Sequence, residues 1–307
     1  MAARRRRQGM GVLSGSEPAK RARINRRSGV VGLVKAFFFV CSLAAALAGF
    51  AFLDKYVKQQ AIITEDGRTI ELVGDTPEWV SEEIKNRVYA AATAEAGSDG
   101  GNEDTAASVQ RSIEHLVPWL ADVKVQTTHD SILIGGRWRK PIAMVTAGKN
   151  KFFLDTNLVV LDYIPVGDLA VVTVSGLTFD KQAPVPGEVW QGDDLAAALA
   201  VLGRLERMDA AVTPDKPLLR EIDRIDVGNF NGRKNKHEPH IVLYTKDNTQ
   251  ILWGAEIGAW QRHLESPDDD KLAKLYTYYQ QYGTLSGVKY INLRDPRQTI
   301  RLPIDKY

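Results

Sequence analysis

The stretch AFFFVCSLAAALAGFAFL, residues 36–53, contains no charged side chain and separates the chain into two unlike parts. About 18 apolar residues in a row are enough for an α-helix to cross the hydrocarbon core of a bilayer. A helix is the expected form, because lipid offers no hydrogen-bond partner to an open backbone N–H or C=O group. We therefore predict a single transmembrane helix over residues 29–53.

The arm before this helix, residues 1–28, contains nine basic residues and one acid, Glu17. Basic residues that flank a span stay in the cytoplasm, so the arm is predicted to be cytoplasmic and the long C-terminal part to lie outside. A nucleic-acid-binding tail, a cleaved signal peptide and a twin-arginine signal at Arg26 and Arg27 are alternatives. A retained anchor is favoured, because the apolar run is long for a signal peptide and ends in bulky residues.

The charge balance gives little indication of a nucleic-acid partner. The whole chain has a formal net charge of +2, and the basic excess lies in the arm. The outer part is therefore mildly acidic, which argues against nucleic-acid binding there. Cys41, the only cysteine, lies within the apolar stretch, so the outer part has neither a disulfide nor a thiol nucleophile.

The outer part begins with a pattern typical of a small α+β unit. A polar linker is expected over residues 54–67, followed by a strand in which apolar residues alternate. Thr76 and Pro77 then predict the start of a helix, since one is a good N-cap and the other fits the first helical position. A second helix and two strands follow. The predicted order for residues 68–147 is strand, helix, helix, strand, strand.

After Gly148 the pattern changes to short strands, hairpins and amphipathic helices. These features predict a mostly antiparallel β-domain with flanking helices over residues 148–303, followed by a short tail, 304–307. The predicted fold class for the whole chain is α+β behind one membrane span.

Six short segments of the outer part resemble conserved motifs of one bacterial protein family. They are IELVG at 70–74, VPWL at 117–120, RKPIA at 139–143, FLDTN at 153–157, LAVVTVSG at 169–176 and INLR at 291–294. In this order, behind an N-terminal span, they resemble the FtsQ/DivIB family of cell division proteins. By this resemblance residues 68–147 form a POTRA domain. Leu158 stands where the family motif has a glycine.

The resemblance implies a scaffold rather than an enzyme. Family members are anchored by one span in the cytoplasmic membrane at the division septum, with the POTRA domain and β-domain outside. They bind FtsB/DivIC-like and FtsL-like single-pass membrane proteins, together with other divisome components, and help to control septal peptidoglycan synthesis. The resemblance implies no cofactor, no small-molecule substrate and no nucleic-acid partner.

The family's main partner surface lies around its closing strands. The matching residues here are Tyr290, Ile291, Asn292, Leu293, Arg294 and Asp295. A partner strand is expected to complete the edge of the sheet, and Arg294 to pair with a partner carboxylate. The alternative stays open that Ile291 and Leu293 fill the core while Arg294 is solvated.

The sequence offers no evident catalytic or metal-binding motif. His237 and His240 flank Glu238-Pro239, where the proline argues against a helical metal motif, so this segment is predicted to be a surface loop. His263 has no cysteine or acidic cluster at ligand spacing. Two other functions are alternatives to the scaffold. One is a POTRA-containing protein of polypeptide transport or secretion, and the other is a membrane-anchored cell-wall enzyme.

Overall fold

A computed structural model describes residues 62–63, 68–96, 102–178 and 185–297 of the 307-residue chain. The predicted cytoplasmic arm and span lie outside these residues, as do the C-terminal residues 298–307. The part of the chain after Gln60 forms one compact unit of mixed helices and strands. The α+β class predicted from the sequence is therefore confirmed for this part.

The first sheet and its two helices have the predicted order of strand, helix, helix, strand, strand. One further short strand precedes them, within the expected linker. The elements are β1 (Ile62–Ile63), β2 (Thr69–Val73), α1 (Glu82–Ala96), α2 (Asn102–Leu116), β3 (Leu120–Thr127) and β4 (Ser131–Trp138).

The sheet order is β1-β2-β4-β3, with β2 and β4 parallel and the other pairs antiparallel. Helix α1 buries Ile84 and Val88 at helical spacing, and these pack with Ile70 of β2 in one core. The helix begins later than predicted. Ser81 is the residue before its first turn and accepts a hydrogen bond from the Ile84 N–H (3.4 Å), so the expected start at Thr76 is wrong.

The second sheet contains eight strands in the described part of the chain, with two long helices. Its elements are β5 (Ala143–Ala147), β6 (Asn150–Leu154), β7 (Val160–Asp162), β8 (Val172–Ser175), α3 (Asp193–Val212), β9 (Ile222–Asp226), β10 (Ile241–Thr245), β11 (Gln250–Gly254), α4 (Asp268–Tyr282) and β12 (Tyr290–Asn292). A 3₁₀ segment, Trp260–His263, lies between β11 and α4.

The strand order in this sheet is β12-β11-β10-β9-β8-β5-β6-β7. Three of its seven pairings are parallel within the described residues: β5 with β8, β8 with β9, and β11 with β12. The other four pairings are antiparallel, so antiparallel pairs form the majority, as predicted, but the sheet is mixed. The chain reaches β12 from β11 through α4, because a parallel neighbour requires a crossover connection rather than a hairpin.

The second sheet begins before the boundary expected at residue 148. Strand β5, Ala143–Ala147, pairs antiparallel with β6 and parallel with β8. Its sequence neighbour β4 belongs to the first sheet. The change of sheet therefore falls between Trp138 and Ala143.

The two sheets share buried residues where β6 and β7 meet the first unit. Trp119 is fully buried and contacts Phe153 of β6 edge to face, with ring centroids 6.1 Å apart. Its indole Nε1–H donates to Asp162 of β7 (2.9 Å), and Arg87 of α1 forms an ion pair with the same carboxylate. Residues of both sheets thus contribute to a single core at this end.

Candidate functional site: the edge strand β12

Strand β12 lies at one end of the eight-stranded sheet. Tyr290, Ile291 and Asn292 form the strand and pair in parallel with Gln250, Ile251 and Leu252 of β11. In the described part of the chain, β11 is the only strand that pairs with β12. Three of the six predicted partner-binding residues therefore form an edge strand, and the other three follow directly after it.

The backbone of β12 divides into inward and outward groups. The Leu293 N–H donates to the Leu252 carbonyl of β11 at 3.1 Å. Alternate residues of a strand direct their N–H groups to the same neighbour, so the Ile291 N–H also faces β11. The Tyr290 N–H consequently faces the outer edge, where an added strand would bind.

The side chains of residues 290–295 differ in how deeply they are buried. Ile291 and Leu293 are fully buried in the core of the second sheet, as the structural alternative expected. Tyr290, Asn292 and Asp295 are half-buried. Asp295 caps the turn that follows, because its carboxylate accepts the Arg297 N–H (2.8 Å) and its carbonyl accepts a hydrogen bond from Lys274 (3.0 Å).

Arg294 is engaged within the molecule. Its Nε donates to the Glu265 carboxylate at 2.8 Å, and its Nη1 contacts the His237 carbonyl at 3.4 Å. Glu265 also accepts hydrogen bonds from the buried Lys271 (2.8 Å) and from the Ala255 N–H (3.0 Å). The predicted bidentate pairing of Arg294 with a partner would therefore compete with this internal ion pair.

The Glu265 carboxylate is the centre of this charge network. Burial alone would raise its pKa, but the hydrogen bonds from Lys271, the Ala255 N–H and Arg294 hold the pKa below its usual value. Lys271 is fully buried and also lies over the ring of Trp253, 5.3 Å from its centroid. Asp268, whose Oδ1 atom lies 4.0 Å from the Lys271 Nζ atom, supplies a second carboxylate. The network therefore pairs two cations with two carboxylates and holds the segment after β12 against the start of α4.

The opposite edge of the same sheet is covered. Strand β7 is the last strand on that side, and Val160 uses both of its backbone groups outside the sheet. Its N–H donates to the Glu188 carbonyl (2.9 Å), and its carbonyl accepts from the Gly187 N–H (2.7 Å). The loop over residues 187–190 therefore occupies the β7 edge, a common way to protect an edge strand.

A groove of about 610 Å³ lies elsewhere, beside α3. Four of its charged residues form two ion pairs. Lys140 bonds Glu206 at 2.6 Å, and Arg220 bonds Asp168 at 3.0 Å. These four charges are therefore held in internal contacts.

The structure brings together one set of residues that the sequence did not predict. His240 lies beside Glu256 and His263 rather than forming a pair with His237. These residues are separated by up to 23 positions in the chain, so no local spacing could have revealed the cluster.

No protein-family model matches this chain, and the search of curated proteins found no significant match. Within the described residues, no helix is both long enough and apolar enough to cross a bilayer. The predicted span over residues 29–53 lies outside that part.

Proposed function

We propose that this chain is a bitopic cell division scaffold that binds other divisome membrane proteins outside the cytoplasm and helps to control septal peptidoglycan synthesis. The observation that carries the proposal is the position of β12. The segment that resembles the family's closing motif, residues 291–294, begins within β12, the edge strand of the eight-stranded sheet. The order of elements in the first unit, which agrees with the expected POTRA arrangement, adds support.

The mechanism we propose is strand addition. A partner segment in extended form would hydrogen-bond to the outward backbone groups of Tyr290, and the sheet would gain a strand beside β12. The buried Ile291 and Leu293 hold the strand in register against the core, so the edge is preformed before a partner arrives. Preformed geometry lowers the ordering cost of association. The partner class is that of FtsB/DivIC-like and FtsL-like single-span proteins.

The division role predicts a definite distribution in cells. A fluorescent protein fused to the N-terminus should gather at the division site shortly before constriction, because a septal scaffold is recruited by its partners there. Time-lapse microscopy of the fusion, in cells that depend on it for growth, measures this distribution. A fusion of residues 1–60 alone serves as the matched control, since it retains the predicted anchor but not the folded part. Uniform membrane fluorescence of the full fusion throughout the cycle would refute the proposal.

A further inference from the structure

Three potential metal ligands converge near the β12 side of the second sheet. His240 directly precedes β10, Glu256 follows β11 by two residues, and His263 ends the 3₁₀ segment. Their ligand atoms all lie within 4.8 Å of one another. The rings of His240 and His263 meet edge to face, with centroids 4.6 Å apart. Two imidazoles and a carboxylate are a common ligand set for a divalent transition metal.

A second observation is that two buried polar atoms of this cluster have no hydrogen-bond partner. His240 is 6% exposed, and its Nδ1 atom has no hydrogen-bond partner. The Glu256 Oε2 atom, also buried, has none either. The two atoms are 3.7 Å apart, which is too far for a hydrogen bond. Leaving buried polar atoms unsatisfied costs about 1–3 kcal/mol each, so such a pair needs an explanation.

A proton shared between His240 and Glu256 would form a hydrogen bond between these two side chains only. It would not involve His263, the third member of the cluster. The nearby cations Lys271 and Arg294 are balanced by two carboxylates, since Glu265 pairs with both at 2.8 Å and Asp268 lies 4.0 Å from Lys271.

We propose that His240, Glu256 and His263 bind one Zn²⁺ ion, with solvent completing its coordination. Donor atoms bound to one tetrahedral zinc ion at about 2.0–2.2 Å lie roughly 3.3 Å apart, so the three side chains need to close by about 1 Å. His263 is exposed, so its side chain can rotate toward the other two ligands. His240 is buried, so its side chain stays in place. The inference does not depend on the division role proposed above.

The ion would join three separate pieces of backbone. It would tie the start of β10 and the segment after β11 to the 3₁₀ segment that leads into α4. The same 3₁₀ segment is followed by Glu265, which holds Arg294 at the end of β12. Metal binding would therefore stabilise the connection that supports the edge strand.

The test is a zinc titration of the full chain, purified in detergent without a polyhistidine tag. A Cys41→Ser background removes the only thiol of the chain as a competing ligand. Isothermal titration calorimetry with ZnCl₂ should give one ion per chain. His263→Ala and Glu256→Gln should each weaken binding by at least about 10-fold, since each removes one ligand. Substitution with Co²⁺ should give visible absorption bands that the two variants lack.

Two histidines provide matched controls. His129→Ala removes a fully exposed ring in the β3–β4 turn, and His237→Ala removes the histidine nearest to His240 in sequence. Both variants should bind zinc as the parent chain does. Undetectable binding by the parent chain at millimolar Zn²⁺, or unchanged binding after His263→Ala, would overturn the proposal. A loss caused by His237→Ala alone would place the ion in the loop instead and would equally overturn it.

Discussion

The backbone of Gly254, the last residue of β11, has a φ angle of +100°, in a region that L-residues with a side chain rarely adopt. A methyl group built at this position would overlap the carboxylate of Glu265. The glycine therefore allows the buried charge network of Glu265, Lys271 and Arg294 to approach the end of the sheet.

Gly254→Ala should lower the free energy of unfolding by about 2–5 kcal/mol, because it adds backbone strain and a steric overlap with Glu265. Gly258→Ala is the matched control. Gly258 also has a positive φ, +86°, but nothing lies within 4 Å of the added methyl group, so its loss should be only about 1–2 kcal/mol. Urea unfolding measures both variants. Equal losses would mean that Glu265 moves aside at little cost.

Leu158 illustrates how a turn can hold a residue other than glycine in the left-handed region. Its φ angle is +64°, in the left-handed region that favours glycine, and it stands where the family motif has that residue. The turn is held by Asp155, whose carboxylate accepts hydrogen bonds from the N–H groups of Asn157 and Val159, both at 2.9 Å. Arg139 pairs with the same aspartate at 3.1 Å.

At the scale of single elements, β12 presents a backbone donor that a substitution can remove selectively. Tyr290→Pro should abolish strand addition, because proline lacks the outward N–H group and restricts φ. The internal pairing should survive, since it uses the N–H of Leu293. Affinity capture from detergent-solubilised membranes, followed by mass spectrometry, measures recovery of small single-span proteins.

Tyr290→Ala is the control for this experiment, because it removes the same side chain but keeps the N–H group. It should retain most of the capture that Tyr290→Pro loses. Both variants need circular dichroism and a urea midpoint close to those of the parent chain. If a folded Tyr290→Pro protein captured the same partners in the same amounts, strand addition at β12 would be wrong.

The elements themselves were predictable where local pattern determines them. Ile84 and Val88 recur at helical spacing and are both buried in α1, and Gly283, whose φ is +70°, directly follows the last residue of α4. The parallel pairings were not predictable in the same way. Strand β5 joins Val172–Ser175, and β12 joins β11 across the whole of α4. Partners that are distant in sequence leave no periodic signal in either segment.

The candidate sites were also predictable only where a local sequence pattern determines them. The edge strand was located through a motif resemblance, and its buried residues follow from alternation. The engagement of Arg294 by Glu265 was missed, because it depends on a contact between residues 29 positions apart. The His240 cluster was missed for a similar reason.

At the scale of the whole molecule, Asp162 couples the two sheets. Asp162→Ala should lower the free energy of unfolding by about 1–3 kcal/mol, because it leaves the buried Nε1–H of Trp119 without an acceptor. Arg87→Ala is the control. It removes the exposed ion pair to the same carboxylate but keeps the Trp119 hydrogen bond, so its cost should stay below about 1 kcal/mol.

Because the two sheets share a core, fluorescence and circular dichroism should report one coincident urea transition in the parent chain. Two well-separated transitions, or equal losses in Asp162→Ala and Arg87→Ala, would contradict the coupling described here.

The loop along β7 also limits how many molecules sheet pairing can join. A protein with two open sheet edges could add copies head to tail, and such heterologous contacts grow into fibres unless they close a ring. Here the backbone groups of Val160 are already bonded to Gly187 and Glu188, so growth from that side is blocked. Under the proposed strand addition, pairing of this sheet would end after a single strand added at β12. Complexes joined through this sheet would then have a fixed stoichiometry rather than grow into polymers, even where many copies are concentrated in a small area.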